Sequence, residues 1–195
     1  MTSRREDMRV IAGQAKGRKL RPVPGNVTRP ITDRVKEALF NILGERVLDA
    51  HVLDLFAGTG SVGIEALSRG ARRAVFVEQD GRALRTIREN LQATRLRERA
   101  DIVAGDVFDY LARLEPEQKF DIIYVAPPQY KGLWARTLRS LDRRLPLAPQ
   151  GVIIVQIFPK EYEPQSLTHL ELTEQRRYGS TLLCFYELKD ELVSP

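Results

Sequence analysis

His51-Val-Leu-Asp-Leu-Phe-Ala-Gly-Thr-Gly-Ser-Val-Gly63 passes without interruption from an apolar run into three glycines spaced Gly-x-Gly-x-x-Gly. The run has the length and composition of a buried strand. The glycines allow the tight turn and close ligand approach that join a strand to a helix in nucleotide-binding α/β proteins. Outward from this stretch the pattern repeats, with apolar runs at 51–56, 74–78, 101–104, 120–126 and 151–157 and helical periodicity between them. Such alternation predicts an α/β fold, a parallel sheet covered on both faces by helices. The end of the chain departs from it. Leu170-Glu-Leu-Thr-Glu-Gln-Arg-Arg-Tyr178 and Thr181-Leu-Leu-Cys-Phe-Tyr-Glu-Leu188 read as two strands joined across Gly179-Ser180, a hairpin that adds one antiparallel strand to the sheet.

The chain has 195 residues, 43% hydrophobic and 29% charged, enough for one domain with an appendage and a sizeable core. No apolar run approaches the ~20 residues of a membrane span, and the amino terminus lacks the apolar segment of a secretory signal, so a cytoplasmic protein without a membrane partner is expected. Cys184 is the single cysteine, which excludes an internal disulfide. With only His51 and His169 beside it, no metal-ligand cluster assembles, so no metal is expected and Cys184 is read as a small core residue.

The charge is unevenly distributed. Residues 1–36 carry ten Lys or Arg against three Asp or Glu, a net of +7, whereas the whole chain is +5, leaving −2 for the remainder. Met8-Arg-Val-Ile-Ala-Gly13 and Arg18-Lys-Leu-Arg-Pro-Val23 are strand-like runs around a Gln14-Ala-Lys-Gly17 turn, so the cations sit on a predicted hairpin. A folded basic hairpin suits contact with phosphates; the plainer reading is a solvated basic tail. Arg9, Lys16, Arg18, Lys19 and Arg21 are the candidate contacts there, with Arg29 and Arg34 expected nearer the rim formed by Pro127 and Pro128. Thr28-Arg-Pro-Ile-Thr-Asp33 then supplies turn and helix-capping residues ahead of an amphipathic helix carrying Val35, Ala38, Leu39, Ile42 and Leu43. Phe40 and Asn41 fall off that stripe and are expected to face solvent or line a site.

Gly58 and Gly60 of the loop fit a nicotinamide dinucleotide as well as other nucleosides. Asp54, four residues before Gly58, separates these, because its carboxylate would repel a pyrophosphate and would suit the ammonium and sulfonium charges of S-adenosylmethionine. Phe56 and Ala57 shape the loop. Glu78, twenty residues after Gly58, ends the second strand where a carboxylate can accept both ribose hydroxyls. Asp106 ends the third strand, either as an acceptor for an adenine amine or as a plain helix N-cap, with Val107 placed to pack on the base. The fourth strand, Asp121-Ile-Ile-Tyr-Val-Ala-Pro-Pro-Gln-Tyr130, runs into two prolines that cannot donate to a ladder. Those prolines are either a strand terminator or a rigid rim with directed carbonyls at the ligand-binding edge.

The series Asp54-x-x-x-Gly-x-Gly, Glu78, Asp106 and Pro-Pro-x-Tyr resembles the class I S-adenosylmethionine-dependent methyltransferases. Val10-Ile-Ala-Gly, Gly17-Arg-Lys-Leu, Arg29-Pro-Ile-Thr-Asp-Arg-Val-Lys-Glu-Ala-Leu-Phe-Asn41, Asp54-Leu-Phe-Ala-Gly-Thr-Gly60, Glu65-Ala-Leu-Ser-Arg-Gly-Ala71 and Tyr178-Gly-Ser-Thr-Leu-Leu183 are together similar to the RsmD family. The resemblance spans nearly the whole chain. It implies a Rossmann-like seven-stranded sheet, mostly parallel with one antiparallel strand, preceded by a basic hairpin and helix. On this reading residues 1–50 are the extension and residues 51–195 the catalytic unit. It further implies a monomeric enzyme that uses S-adenosylmethionine to methylate the N2 amine of a guanine in 16S ribosomal RNA, on the assembled or assembling small subunit.

In the family the proline rim begins with Asp or Asn and continues Pro-Pro-aromatic; here Ala126 stands first and Gln129 separates Pro128 from Tyr130. The resemblance makes Ala126, Pro127, Pro128 and Tyr130 the catalytic rim, with Tyr130 stacking on an extruded base. The amine is then held by the carbonyls of residues 126 and 127 or by Gln129. A catalytically silent relative that binds cofactor and RNA is the alternative that Ala126 raises. A nicotinamide oxidoreductase is a third reading, against which Asp54 argues.

Overall fold

Seven strands, β1 (His51–Leu55), β2 (Arg73–Glu78), β3 (Ala100–Ala104), β4 (Phe120–Val125), β5 (Leu147–Ile157), β6 (Leu170–Tyr178) and β7 (Thr181–Leu188), form one sheet in the order β3-β2-β1-β4-β5-β7-β6. The structure is a computed structural model and describes residues 8–25 and 31–192. β1 to β5 are parallel, and β7 lies antiparallel to both β5 and β6, as the hairpin signal at Gly179-Ser180 predicts. α1 (Asp33–Leu43), α2 (Ser61–Ser68) and α3 (Gly81–Thr94) share one core with the sheet residues Phe76, Tyr124 and Ile154. α4 (Val107–Arg113) and α5 (Leu133–Arg144) pack on the opposite face against Leu53, Val75, Ile123 and Ile153. Cys184 is fully buried in that second core.

The strands follow the predicted runs to within a residue or so, except β5. β5 begins at Leu147 and includes Pro149, because residues 148–151 fall between the paired positions Phe120↔Leu147 and Ile122↔Val152 and need no ladder partner. β4 stops at Val125, short of the predicted residue 126, just ahead of the two prolines. α1 opens on Thr32, whose hydroxyl accepts the Val35 N–H, and closes at Gly44 with φ +53°.

The basic amino-terminal segment folds back on itself around the antiparallel bridge Arg9↔Lys19, with the Val10 amide donating to the Arg18 carbonyl, Gly17 to Val10 and Leu20 to Met8. α2 satisfies the turn between the arms: the amides of Ile11 and Ala12 donate to the Glu65 carboxylate at 2.8 and 3.0 Å. The Gln14 and Ala15 amides donate to the Ser68 carbonyl and hydroxyl, both at 2.9 Å. Gly13, at φ +81°, lies so flush on α2 that a Cβ would stand 1.8 Å from the Ser68 carbonyl oxygen. Phe40 is therefore not at a surface or a site: it is 2% exposed, because Val10, Ala15 and Leu20 extend the core on that side of α1. Asn41 is exposed.

Glu65 and Lys36 are both fully buried, 3.5 Å apart, and Arg69 reaches the same carboxylate at 2.8 Å. The Lys36 ammonium also donates to the Arg9 carbonyl at 2.6 Å and to Ser61 Oγ at 3.1 Å. Burial pulls the Lys36 ammonium below its usual pKa, with Glu65 working against that shift. Removing one member of such a pair strands the other, so Glu65→Gln is expected to lower stability by about 3 kcal/mol in urea unfolding. Glu37→Gln, on the exposed side of α1, should stay within about 0.5 kcal/mol of the parent.

Candidate functional site

The carboxyl ends of β1 and β4 meet at the centre of the sheet, where the crossovers diverge to either side, the position at which open α/β sheets bind ligands. The loop after β1 holds its shape through three left-handed residues, Phe56 (φ +60°), Gly58 (φ +57°) and Gly60 (φ +73°), the last capping α2. Gly63 serves packing: a Cβ there would meet the Phe76 ring at 2.4 Å. Asp54 lies beneath the loop, 2% exposed, and its Oδ2 accepts the Gly63 N–H at 3.0 Å. Burial pushes the Asp54 carboxyl up to about 8, the Gly63 amide opposing and the Glu78 charge adding.

The neighbouring strand ends are latched to this loop. Glu78 Oε2 accepts the Gly58 N–H at 2.9 Å, and Oε1 accepts the amides of Gln79 and Asp80 at 2.8 and 2.9 Å. The Ala57 amide donates to Val77, and the Gly105 amide to Glu78, so β1, β2 and β3 end in one connected backbone. Asp106 is the N-cap of α4, its Oδ1 accepting the amides of Phe108 at 2.8 Å and Asp109 at 3.2 Å. That is the plainer of its two expected roles, and it leaves Oδ2 for another donor. Val107 is buried behind it. Asp54, Phe56, Ala57, Gly58, Gly60, Glu78, Asp106 and Val107 thus stand along three adjoining strand ends.

Ala126 and Pro127 are half-buried at the end of β4, and Pro128, Gln129 and Tyr130 are exposed. Tyr130 has φ +59° and donates its N–H to Glu161 Oε2 at 2.7 Å, with its ring 5.9 Å from that of Phe158. At 68% exposure it offers a free aromatic face. Gln129, rather than Tyr130, lines a cavity of about 380 Å³ together with Arg34, Gln156 and Arg177. Arg34 shares that cavity with Gln129 of the rim; Arg29 lies outside the described residues. Glu161 and Gln156 escaped the sequence reading. Gln156 had a signal, being the one polar side chain between Val152 and Ile157.

Several cations of the amino-terminal segment have partners on the domain surface. Arg9 meets Asp33 at 3.0 Å, Arg21 meets Glu89 at 3.1 Å, and Arg18 donates to the Ala93 carbonyl at 2.5 Å. Arg9, Lys16, Arg18, Lys19 and Arg21 all remain exposed. Exposed pairs of this kind contribute ~0–1 kcal/mol, so they leave the arginines free to exchange a carboxylate for a phosphate. Among the described residues, no three His, Cys, Asp or Glu side chains are disposed to hold a metal, and no helix is long and apolar enough to cross a membrane.

Residues 8–187 match the protein family described as conserved hypothetical protein 95. Ribosomal RNA small subunit methyltransferase D of Escherichia coli K12 is 40% identical over 150 residues, 76% of this chain and 74% of its own. Of solved structures, the yhhF protein of Escherichia coli superposes with a TM-score of 0.82 at 33% identity, over 94% of this chain and 98% of that one. An RNA methyltransferase of Salinibacter ruber in complex with S-adenosyl-L-homocysteine has a TM-score of 0.64 at 14% identity over 83% and 95% of the two chains, a likeness of fold alone. The fold is thus that of a class I methyltransferase, and the chain belongs to the conserved hypothetical protein 95 family, the RsmD family.

Proposed function

We propose that the chain methylates the N2 amine of a guanine in 16S ribosomal RNA, using S-adenosylmethionine and acting as a cytoplasmic monomer on the small ribosomal subunit. The observation that carries this reading is the row of polar groups at adjoining strand ends, the glycine loop, Glu78, Asp106 and the proline rim, in a chain of this family. The residues fit an adenosyl group. Glu78 Oε2, which accepts one amide, has a further lone pair for a ribose hydroxyl, whereas Oε1 already accepts two, and Asp106 Oδ2 suits an adenine amine. Asp54, beneath the loop, stabilises positive charge above it when ionised.

Bound there, S-adenosylmethionine would supply an electrophilic methyl group on its sulfonium, with S-adenosylhomocysteine as the leaving group and the amine's proton lost to water. The chain's own part is to aim the nitrogen lone pair at that methyl group. Pro127 and Pro128 fix the direction of the carbonyls at 126 and 127, which accept from the amine, and Tyr130 presents a stacking face for an extruded base. Residues 1–50 serve as the docking extension, with Arg9, Lys16, Arg18, Lys19, Arg21, Arg29 and Arg34 on phosphates, and residues 51–195 as the catalytic unit. Ala126 favours a second reading, a silent binder of the same two ligands.

Transfer of labelled methyl to small-subunit substrates, with the modified nucleoside identified by mass spectrometry, separates the two. N2-methylguanosine in 16S RNA is the expected product, and cofactor binding without transfer to any small-subunit substrate would establish the silent binder. RNA binding should weaken steeply with salt, and Lys16→Ala should reduce the log–log salt slope by about one. Glu78→Ala should weaken S-adenosylhomocysteine about tenfold or more in calorimetry, since a charge-assisted hydrogen bond to ribose is lost. An ammonium ligand favours ionised Asp54, so binding releases its proton below about pH 8. Affinity should therefore rise with pH, by at most about tenfold per unit, until about 8 and then level, and Asp54→Asn should flatten the profile. Folding stability should run the other way. The Asp54 pKa is raised on folding, so the folded state holds the extra proton and its contribution declines as pH climbs towards about 8.

A further inference from the structure

β4 and β5 pair in parallel register through Tyr124↔Ile154 and Val125↔Val155, and continuing that register one step sets Gln156 beside Ala126. Gln156 is thus the nearest cross-strand neighbour of the position where the family carries a side-chain acid or amide and this chain carries a methyl group. Its amide is held from below. The buried Tyr124 hydroxyl donates to Gln156 Oε1 in a tight hydrogen bond, and burial together with the Asp54 charge keeps that phenol protonated. This contact occupies one lone pair of Oε1. A second lone pair and both Nε2 hydrogens remain, on a side chain that lines the rim cavity opposite Gln129. An acceptor next to a donor is the complement of an exocyclic amine next to a ring nitrogen, the pairing by which glutamine and asparagine read base edges bidentately. The cavity, of about 380 Å³, also has Arg34 and Arg177 in its wall, cations suited to the phosphate of a nucleotide entering it.

We propose that Gln156 reads the target base in place of the side chain missing at position 126: Oε1 accepts one hydrogen of the amine that is methylated, leaving the other to a rim carbonyl, and Nε2 donates to the unprotonated ring nitrogen, N3, beside it. Tyr124 is the positioning residue that fixes the plane of the amide. The role rests on the reading of the chain as a guanine-N2 methyltransferase and adds to it the group that recognises the amine.

Methyl transfer to the small-subunit substrate is measured for wild type, Gln156→Met, Tyr124→Phe and Gln156→Met combined with Ala126→Asn, with S-adenosylhomocysteine affinity and thermal midpoint followed in each. Methionine matches glutamine in volume and makes none of these hydrogen bonds. Gln156→Met should lower kcat at least about tenfold while leaving KM for the substrate and S-adenosylhomocysteine affinity within about twofold. Tyr124→Phe should lower the same step by less, again without a change in KM. Adding Ala126→Asn to Gln156→Met should recover a large part of the lost turnover, which a merely structural role for Gln156 would not allow. Wild-type turnover in Gln156→Met overturns the proposal, as does a loss that follows S-adenosylhomocysteine affinity or thermal midpoint and is not recovered by Ala126→Asn. Should Gln156→Met not fold, Tyr124→Phe decides, and unchanged kcat there overturns it. A wild-type protein inert on every small-subunit substrate overturns the methyltransferase reading and this role with it, whereas an active wild type with an equally active Gln156→Met overturns this role alone.

Discussion

A buried carboxylate organises the molecule around the ligand loop. Glu65, one turn into α2 and a few residues past Gly60, is fully enclosed and bonded by two backbone amides, Arg69 and Lys36. Taking such a charge from water costs several kcal/mol, which only a full set of partners offsets, so the arrangement admits no half-formed version. Its effect is positional. The chain at residues 11 and 12 has no sheet to join, yet it is fixed on α2 as firmly as a ladder would fix it, and Gly13 against Ser68 leaves no room for it to slide. The basic segment and the helix that begins at the glycine loop are therefore fixed to one another. The surface proposed to dock on RNA and the loop proposed to hold the cofactor share a common reference.

The strand ends obey the same rule on a smaller scale. Glu78 and Asp106 each bond backbone amides, and Asp54 bonds the amide of Gly63, so every acid expected to meet a ligand already has a backbone partner. These bonds stop the side chains from searching other rotamers and hold the loop open in one form. Ligand groups then add to remaining lone pairs without first displacing a competing side chain, and little ordering is left to be done on binding. Asp54 is the exception in kind. Its burial makes its charge conditional, so the ionisation of a carboxylate beneath the loop is linked to the arrival of a cation above it.

Much of this was legible because it is local. The apolar runs, the Gly-x-Gly-x-x-Gly spacing and the Gly179-Ser180 turn each specify their element within a dozen residues, and the acids at 54, 78 and 106 inherit their positions from the strands they end. What was illegible depends on distant segments lying together. Lys36 and Glu65 read as ordinary helix-surface charges until the amino-terminal segment is laid over them, and Phe40 reads as off the apolar stripe for the same reason. β5 was read short because its apolar run begins only at residue 151. The four residues 148–151 ahead of Val152 stand out of the ladder, and Leu147 beyond them pairs with Phe120. Gln156 was visible as a polar break in an apolar run, but its significance lies in a register with residue 126, thirty positions away.

The rim shows how such registers let a function change strands. Neighbouring parallel strands lie about 4.8 Å apart with their side chains aligned, so a long side chain on one can present its end group where a short one on the other would have done. Ala126 removes the end group from β4 and leaves the space for Gln156 to reach over from β5. The backbone of the rim depends on β5 as well, through the connection that follows it. Glu161 takes the Tyr130 amide and Phe158 backs the Tyr130 ring, holding a left-handed residue that would be costly if free. Two prolines set the carbonyls from within the loop, and β5 with its continuation sets the rest from outside. On the proposed assignment, the group absent from position 126 is supplied by the strand that already fixes the rim's shape, in register with the carbonyls it must work beside.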